Sequence, residues 1–437
     1  MKQKSILVIS EGAPPIGDNL VEGGGLRCWG LASGFAKNGL KVTLAYQDVY
    51  KVKNVRAEAI PSNISIKTWN EKNIGTLISE HEILVFSYAM GQAPLFIQKI
   101  ADDHIVVLDC YVPIAIEVAA RNSSDMKLEF QNYTHGLKEW KHVARRGDYF
   151  LCASEQQFNY YLGYLAAINR INPLTYKDVE ERLLIVPYGL HASDVLERKL
   201  PVAPTLLWYG GFYPWFDIET LATTLFEVKK RIPNFKFLVA GAKNPYNKNK
   251  DFVSYYHKSV KSLEKLGESV EYIEWLPFAD RLETYAKASA IITVNHLGVE
   301  NRLAWRTRLM DFVTAKRPIL TNGGDPLAED LIRRNIARRV NLGDVETIVK
   351  ILANPGKFVN NSDYNDAIAD YDWKNVTLCM VSIAATASRL RQPYFEPRVS
   401  IRGKVGVLVG YPMRIVRFVR TNGAKSAVSK VKSKLKN

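Results

Sequence analysis

Cysteine is scarce in this sequence, and the four that occur (Cys28, Cys110, Cys152 and Cys379) stand far apart with no CxxC pair. That excludes a disulfide framework and a zinc site of ordinary ligand spacing, and it suits a reducing cytoplasm. No apolar run approaches the roughly 20 residues that a membrane-spanning helix needs. The opening MKQKSILVIS has two lysines but only a short apolar run before Glu11, so it reads as a first β-strand and not as a secretory signal. Acidic residues are missing from one stretch altogether. From Arg398 to Asn437 there are eleven Lys or Arg and no Asp or Glu, so eleven of the fifteen net positive charges lie there and the first 397 residues carry only +4. The basicity belongs to a tail and does not mark a nucleic-acid-binding protein.

What remains is the material of an ordinary globular protein: 437 residues, 47% hydrophobic and 24% charged, too long for a single core and rich enough for two. Apolar runs at 5–10, 41–46, 83–87, 105–109, 149–153 and 183–187 alternate with helical patterns, as a doubly wound parallel sheet requires. A polar, proline-containing stretch follows, and then the pattern restarts with strands at 205–209, 236–240, 291–295 and 318–321. The expectation is an α/β chain of two tandem Rossmann-like domains. A first domain would cover 1–188, with a linker at 189–203. A second would cover 204–372, followed by a crossover helix at 373–392 and a basic tail at 393–437.

Two stretches carry chemistry. The first is Glu22-Gly23-Gly24-Gly25, in the loop before a helix expected over 26–38, where bare backbone could approach a phosphate or an acceptor closely. These glycines come too late after the first strand for a dinucleotide-binding fingerprint, which counts against NAD; a simple flexible loop is the plainer alternative. The second is HLGVENRLAWRTRLMDFVTAKRPILTNGGD, His296–Asp325, with a helix expected over 303–315. Arg306, Arg308 and Asp311 fall in its first turns. Arg308 and Asp311 share a face, placing a guanidinium for a diphosphate beside a carboxylate for ribose hydroxyls, or else forming a simple intrahelical ion pair. Asp109 ends a strand at the carboxyl edge of the first sheet, with Glu117 eight residues on; each is a candidate to touch a ligand, or a cap or surface charge. His296 follows a strand and is a candidate donor contact or a structural histidine.

The segment from Asp311 to Leu320 (DFVTAKRPIL) resembles the C-terminal motif of glycosyltransferase family 4. The stretches 152–173 (CASEQQFNYYLGYLAAINRINP), 207–217 (LWYGGFYPWFD) and 275–281 (WLPFADR) are similar to a branch of that family from bacterial cell-surface polysaccharide loci. The resemblance spans about residues 5–350 and implies the GT-B architecture: two Rossmann-like domains facing across a cleft, with donor bound in the second and acceptor in the first. It implies transfer of a hexose or deoxyhexose, with retention, from a nucleotide diphosphate sugar to a polysaccharide or lipid-linked acceptor. The catalytic candidates are then Asp109, Glu300 and His296. Donor contacts fall to Arg306, Arg308, Asp311, Gly210 and Gly211, and the acceptor or phosphate loop to Gly23, Gly24 and Gly25.

Two features depart from the family. Its pair of glutamates seven residues apart is missing, because position 303 is Leu303 and Glu300 stands eleven before Asp311. Its Gly-Arg…Lys clamp is replaced by Phe212, Tyr213, Pro214 and Trp215 after Gly210-Gly211, which leaves the diphosphate to Arg306 and Arg308. No cofactor and no metal is called for, since arginines and helix N-termini can neutralise the leaving group. The rival readings are a nucleotide-sugar epimerase on the same scaffold and a degenerate, non-catalytic nucleotide-binding protein. Residues 398–437 interleave apolar and basic side chains and are expected to hold the enzyme on an anionic membrane, at the cytoplasmic face of the plasma membrane.

Overall fold

In the computed structural model, residues 4–121, 123–191, 195–196, 200–201 and 203–390 are described. The basic tail and its membrane role lie outside them, as does part of the expected linker.

Seven parallel strands form the first sheet: β1 (Ile6–Ser10), β2 (Val42–Gln47), β3 (Ile64–Trp69), β4 (Ile83–Ser87), β5 (Ile105–Asp109), β6 (Tyr149–Cys152) and β7 (Leu183–Ile185). Their spatial order is β3-β2-β1-β4-β5-β6-β7. The second sheet has six: β8 (Thr205–Tyr209), β9 (Lys236–Ala240), β10 (Val270–Ile273), β11 (Ala290–Thr293), β12 (Ile319–Thr321) and β13 (Ala337–Arg339), in the order β10-β9-β8-β11-β12-β13. The central strands read as unbroken apolar runs because helices cover both faces. Along β1, Ile6 and Val8 enter one core while Leu7 and Ile9 enter the core on the opposite face, the two-residue period of a strand buried twice. The chain reverses its winding between β1 and β4 and again between β8 and β11. In an open parallel sheet, ligands bind at the carboxyl ends of strands at such points.

Four details differ from the sequence expectation. The first helix spans Gly23–Lys37, so the three glycines form its first turn instead of a loop before it. At Gly25 a Cβ would sit 2.3 Å from the Ala13 carbonyl, which explains why the chain can fold back so closely there. The helix expected over 303–315 is two helices, Val299–Leu303 and Arg308–Thr314, broken by extended backbone at Ala304. Arg306 therefore stands outside any helix, while Arg308 opens the second. The stretch expected as one helix over 373–392 contains two, Trp373–Val376 and Cys379–Thr386. Trp373 packs into the first half, its ring 5.1 Å from that of Tyr188 and so close to the first helix that a Cβ at Gly30 would fall 2.1 Å from the indole. The fourth difference is strands β3, β10 and β13, which have no counterpart in the sequence reading.

Candidate functional site

The carboxyl ends of both sheets open onto one cleft of about 280 Å³. Its first wall carries Gly23, Tyr111, Glu117 and Tyr188; its second carries Tyr209, Gly210, Gly211, Trp215, Trp275, Arg281, Glu300, Arg306, Arg308 and Asp311. The two walls are joined across the opening. Asn244 donates to the Glu22 carboxylate at 2.8 Å, the hydroxyls of Ser123 and Ser124 each donate to Asp251 at 2.7 Å, and Gln157 donates to the carbonyls of Tyr111 and Leu303, both at 2.8 Å.

Gly210 and Gly211 follow β8 directly. Gly210 has φ +97°, a left-handed conformation suited to glycine, and it lets the chain turn away at the cleft floor. Arg308 passes beside it, donating through Nη2 to the Gly211 carbonyl at 3.2 Å, with its guanidinium 4.2 Å from the Phe216 ring centre. Burial pushes the Arg308 guanidinium down to about 10, so it stays charged at neutral pH, and its Nη1 has no hydrogen-bond partner among the described residues. A half-buried cation with an unmet donor, on the wall of a cleft, can bind an anion.

Arg306 differs. Its Nη2 lies 2.6 Å from a Glu300 carboxylate oxygen and 3.2 Å from the Asn301 amide oxygen. Behind it, Asp325 is fully buried as the N-cap of the helix Pro326–Arg333; burial raises its carboxyl to about 6, against the opposing pull of Arg306. Asp311 lies 3.8 Å from Arg281 Nε and lines the cleft as the sequence placement required. Arg281 was not singled out in the sequence; the sign was there in the WLPFADR segment, whose loop after β10 reaches the cleft.

Asp109 is placed differently from the sequence expectation. It is 5% exposed and both its oxygens receive Arg27, at 3.0 and 2.9 Å, while Arg27 also donates to the carbonyls of Val186 and Pro187. It is the counterion of a buried arginine that ties the first helix to β5 and to the chain after β7. The carboxylate on the first wall that does line the opening is Glu117, and Glu11 lies against Gly24. Burial, then the nearby charge of Glu300, raises Glu117 against the pull of Arg121. Glu11, at the end of β1, is raised to about 7 by the protein around it and by Asp109, Glu22 and Glu117; it keeps contact with solvent, so water screens part of that repulsion. Glu11 escaped the sequence reading because its acidic neighbours come from distant segments.

His296 stands apart from the arginines. It borders a second, wider cavity, with Nδ1 3.8 Å from Asp217, and this cavity meets the first through Trp215 and Glu300. Of the glycines 23–25, only Gly23 lines the first cleft; Gly24 lies against Glu11, where a Cβ would come 2.8 Å from its carboxylate.

No protein-family model and no curated protein matches the sequence. Solved structures do match the fold. A sucrose-phosphate synthase from Thermosynechococcus elongatus aligns over 88% of this chain and 98% of its own, with 14% identity and a TM-score of 0.58. An alpha-glucosyltransferase solved with UDP-glucose and DNA containing an abasic site aligns over 88% and 100%, with 12% identity and a TM-score of 0.56. AviGT4, a glycosyltransferase involved in avilamycin A biosynthesis, aligns over 87% and 97%, with 12% identity and a TM-score of 0.53. At these identities it is the architecture that is shared: the chain has the GT-B fold, two Rossmann-like halves facing across a cleft.

Proposed function

We propose that this protein is a glycosyltransferase that moves a hexose or deoxyhexose from a nucleotide diphosphate sugar to a polysaccharide or lipid-linked acceptor, with retention and without a metal, in cell-surface glycan synthesis. The observation that carries the reading is Arg308, a half-buried cation whose Nη1 has no hydrogen-bond partner among the described residues, at the switch point of the second sheet beside Gly210, Gly211 and Asp311. Arg308 takes the diphosphate and stabilises it as it departs, Asp311 takes the ribose hydroxyls, and Arg306 supports the site through Glu300. The acceptor hydroxyl comes from the first wall, near Glu117. The bonds across the cleft hold the two halves closed, which excludes water and limits hydrolysis of the donor. Asp109 serves this site only through Arg27. Residues 398–437 carry the enzyme to an anionic membrane surface at the cytoplasmic face, and nucleic acid is not its acceptor.

Thermal-shift measurements over a panel of nucleotide diphosphate sugars identify the donor, and turnover of that donor with and without candidate glycan acceptors tests the reaction. Acceptor-dependent release of nucleotide diphosphate is expected. Conversion of the donor sugar without an acceptor would favour an epimerase, and binding without turnover a degenerate binding protein; the latter reading draws on the missing phosphate clamp after Gly211.

A further inference from the structure

The helix Met126–Arg146 runs for 21 residues. Its apolar positions Met126, Phe130, Tyr133, Leu137, Trp140 and Ala144 recur at steps of three and four, so they form one stripe. The C-terminal half of that stripe is covered: Ala144 is buried and Trp140 packs against the core of the first sheet. The N-terminal half is not, with Met126 63% and Phe130 70% exposed. An apolar stripe that is half satisfied and half bare, at the end of a single rigid helix, marks a surface with an absent partner.

The charges beside it say what that partner is. Lys127, Lys138, Lys141 and Arg145 fall on one flank of the stripe, while the two acids, Glu129 and Glu139, fall on the other side of the helix. Among the described residues, Lys127, Lys138 and Lys141 make no ion pair. Lys127 edges the bare end of the stripe, and Lys138 and Lys141 continue the same basic flank along its covered half, the surface chemistry of a helix that lies in an anionic lipid interface.

Its place in the fold adds a consequence. The helix Ile114–Ala119 packs against both Met126–Arg146 and Val299–Leu303. The second cavity opens between the stretch from Ile116 to Ser124 and the start of Val299–Leu303; Arg121 and Ser124 line it just before the stripe begins, and Leu297 and Val299, 68% and 53% exposed, line it on the other side. We infer that the uncovered half of Met126–Arg146 docks on an anionic lipid surface and sets the mouth of the second cavity against the membrane, so that an amphiphilic acceptor enters from the lipid toward Glu300. The docking surface stands on its own geometry, and only the identity of what enters rests on the glycosyl-transfer reading.

The test uses the full chain with vesicles of phosphatidylcholine and phosphatidylglycerol. An environment-sensitive fluorophore is attached to Phe130→Cys and, as an equally exposed control, to Leu174→Cys; wild-type protein labelled in parallel corrects for native cysteines. Anionic vesicles should brighten and blue-shift the label at 130 and leave that at 174 unchanged, and the double variant Met126→Gln/Phe130→Gln should bind these vesicles about tenfold more weakly. Vesicle binding with a silent label at 130 would mean that other residues alone make the contact, and the inference fails. A signal at 130 that grows with protein concentration in the absence of vesicles would make the cover a second copy of the chain, which also overturns it. Nucleotide binding measured on the same variants separates the two ideas: if it persists while docking fails, only the docking surface is wrong.

Discussion

Arg306 and Glu300 form an ion pair at 2.6 Å, with side chains only 8% and 12% exposed, on the wall where Arg308 keeps an unpaired Nη1. The two arginines, equal candidates from their spacing in the chain, are therefore unequal in the fold. Arg306 is spent on a carboxylate, although its Nε also lacks a partner among the described residues, and Arg308 forms no ion pair there.

Arg308→Ala is accordingly expected to weaken binding of the nucleotide diphosphate by about 1.5–3 kcal/mol, roughly 10- to 150-fold, the range for hydrogen bonds to a charged group. Arg306→Ala should weaken it less and act more on turnover. Isothermal titration with the nucleotide identified by thermal shift checks both; equal, wild-type affinities in the two variants would remove the arginines from the diphosphate site.

Asp311→Ala is expected to lower affinity for the nucleotide by about 1–3 kcal/mol while leaving affinity for inorganic diphosphate unchanged, because its partner is the ribose. A titration series with nucleotide and with diphosphate decides this, and a matched loss for both ligands would argue for a wider disturbance through Arg281.

Asp109→Ala strands Arg27 as an unpaired charge in the core, a change of the kind that costs about 3–5 kcal/mol. Urea unfolding should show that loss. If stability is retained and donor turnover alone collapses, Asp109 acts on the reaction after all.

Glu11 makes stability depend on pH. Its carboxyl is raised from the ordinary value to about 7, so folding favours its protonated form. The sign follows: stability is fully present below about 4.5 and falls as pH rises through 7. Glu11→Gln removes that dependence, and the variant should melt above wild type at pH 8 and level with it at pH 4.5. An identical difference in Tm at both pH values would show that the group is not titrating in this window.

Sequence alone determined the architecture and the inner strands. Each central strand is an apolar run bounded by turn residues, and β4, β5, β8 and β9 occur with the bounds that pattern implies. It determined less at the sheet margins. The missed strands β3, β10 and β13 are all edge strands, and solvent on one side admits Lys67, Glu271 and Arg338, which break the apolar run that marks a buried strand. The cleft lining at Gly210, Gly211 and Asp311 was legible because those residues stand next to strand ends or in a short motif.

Tertiary structure decided everything that depends on meetings across long stretches of chain. That Asp109 is taken by Arg27, that Arg306 is paired while Arg308 is not, and that Glu11 sits among Asp109, Glu22 and Glu117 are contacts between separate segments, invisible to local spacing. The same holds for the bare end of Met126–Arg146. Only packing shows where the cover of this helix stops, because burial is a property of the neighbours a side chain finds and not of the residue itself.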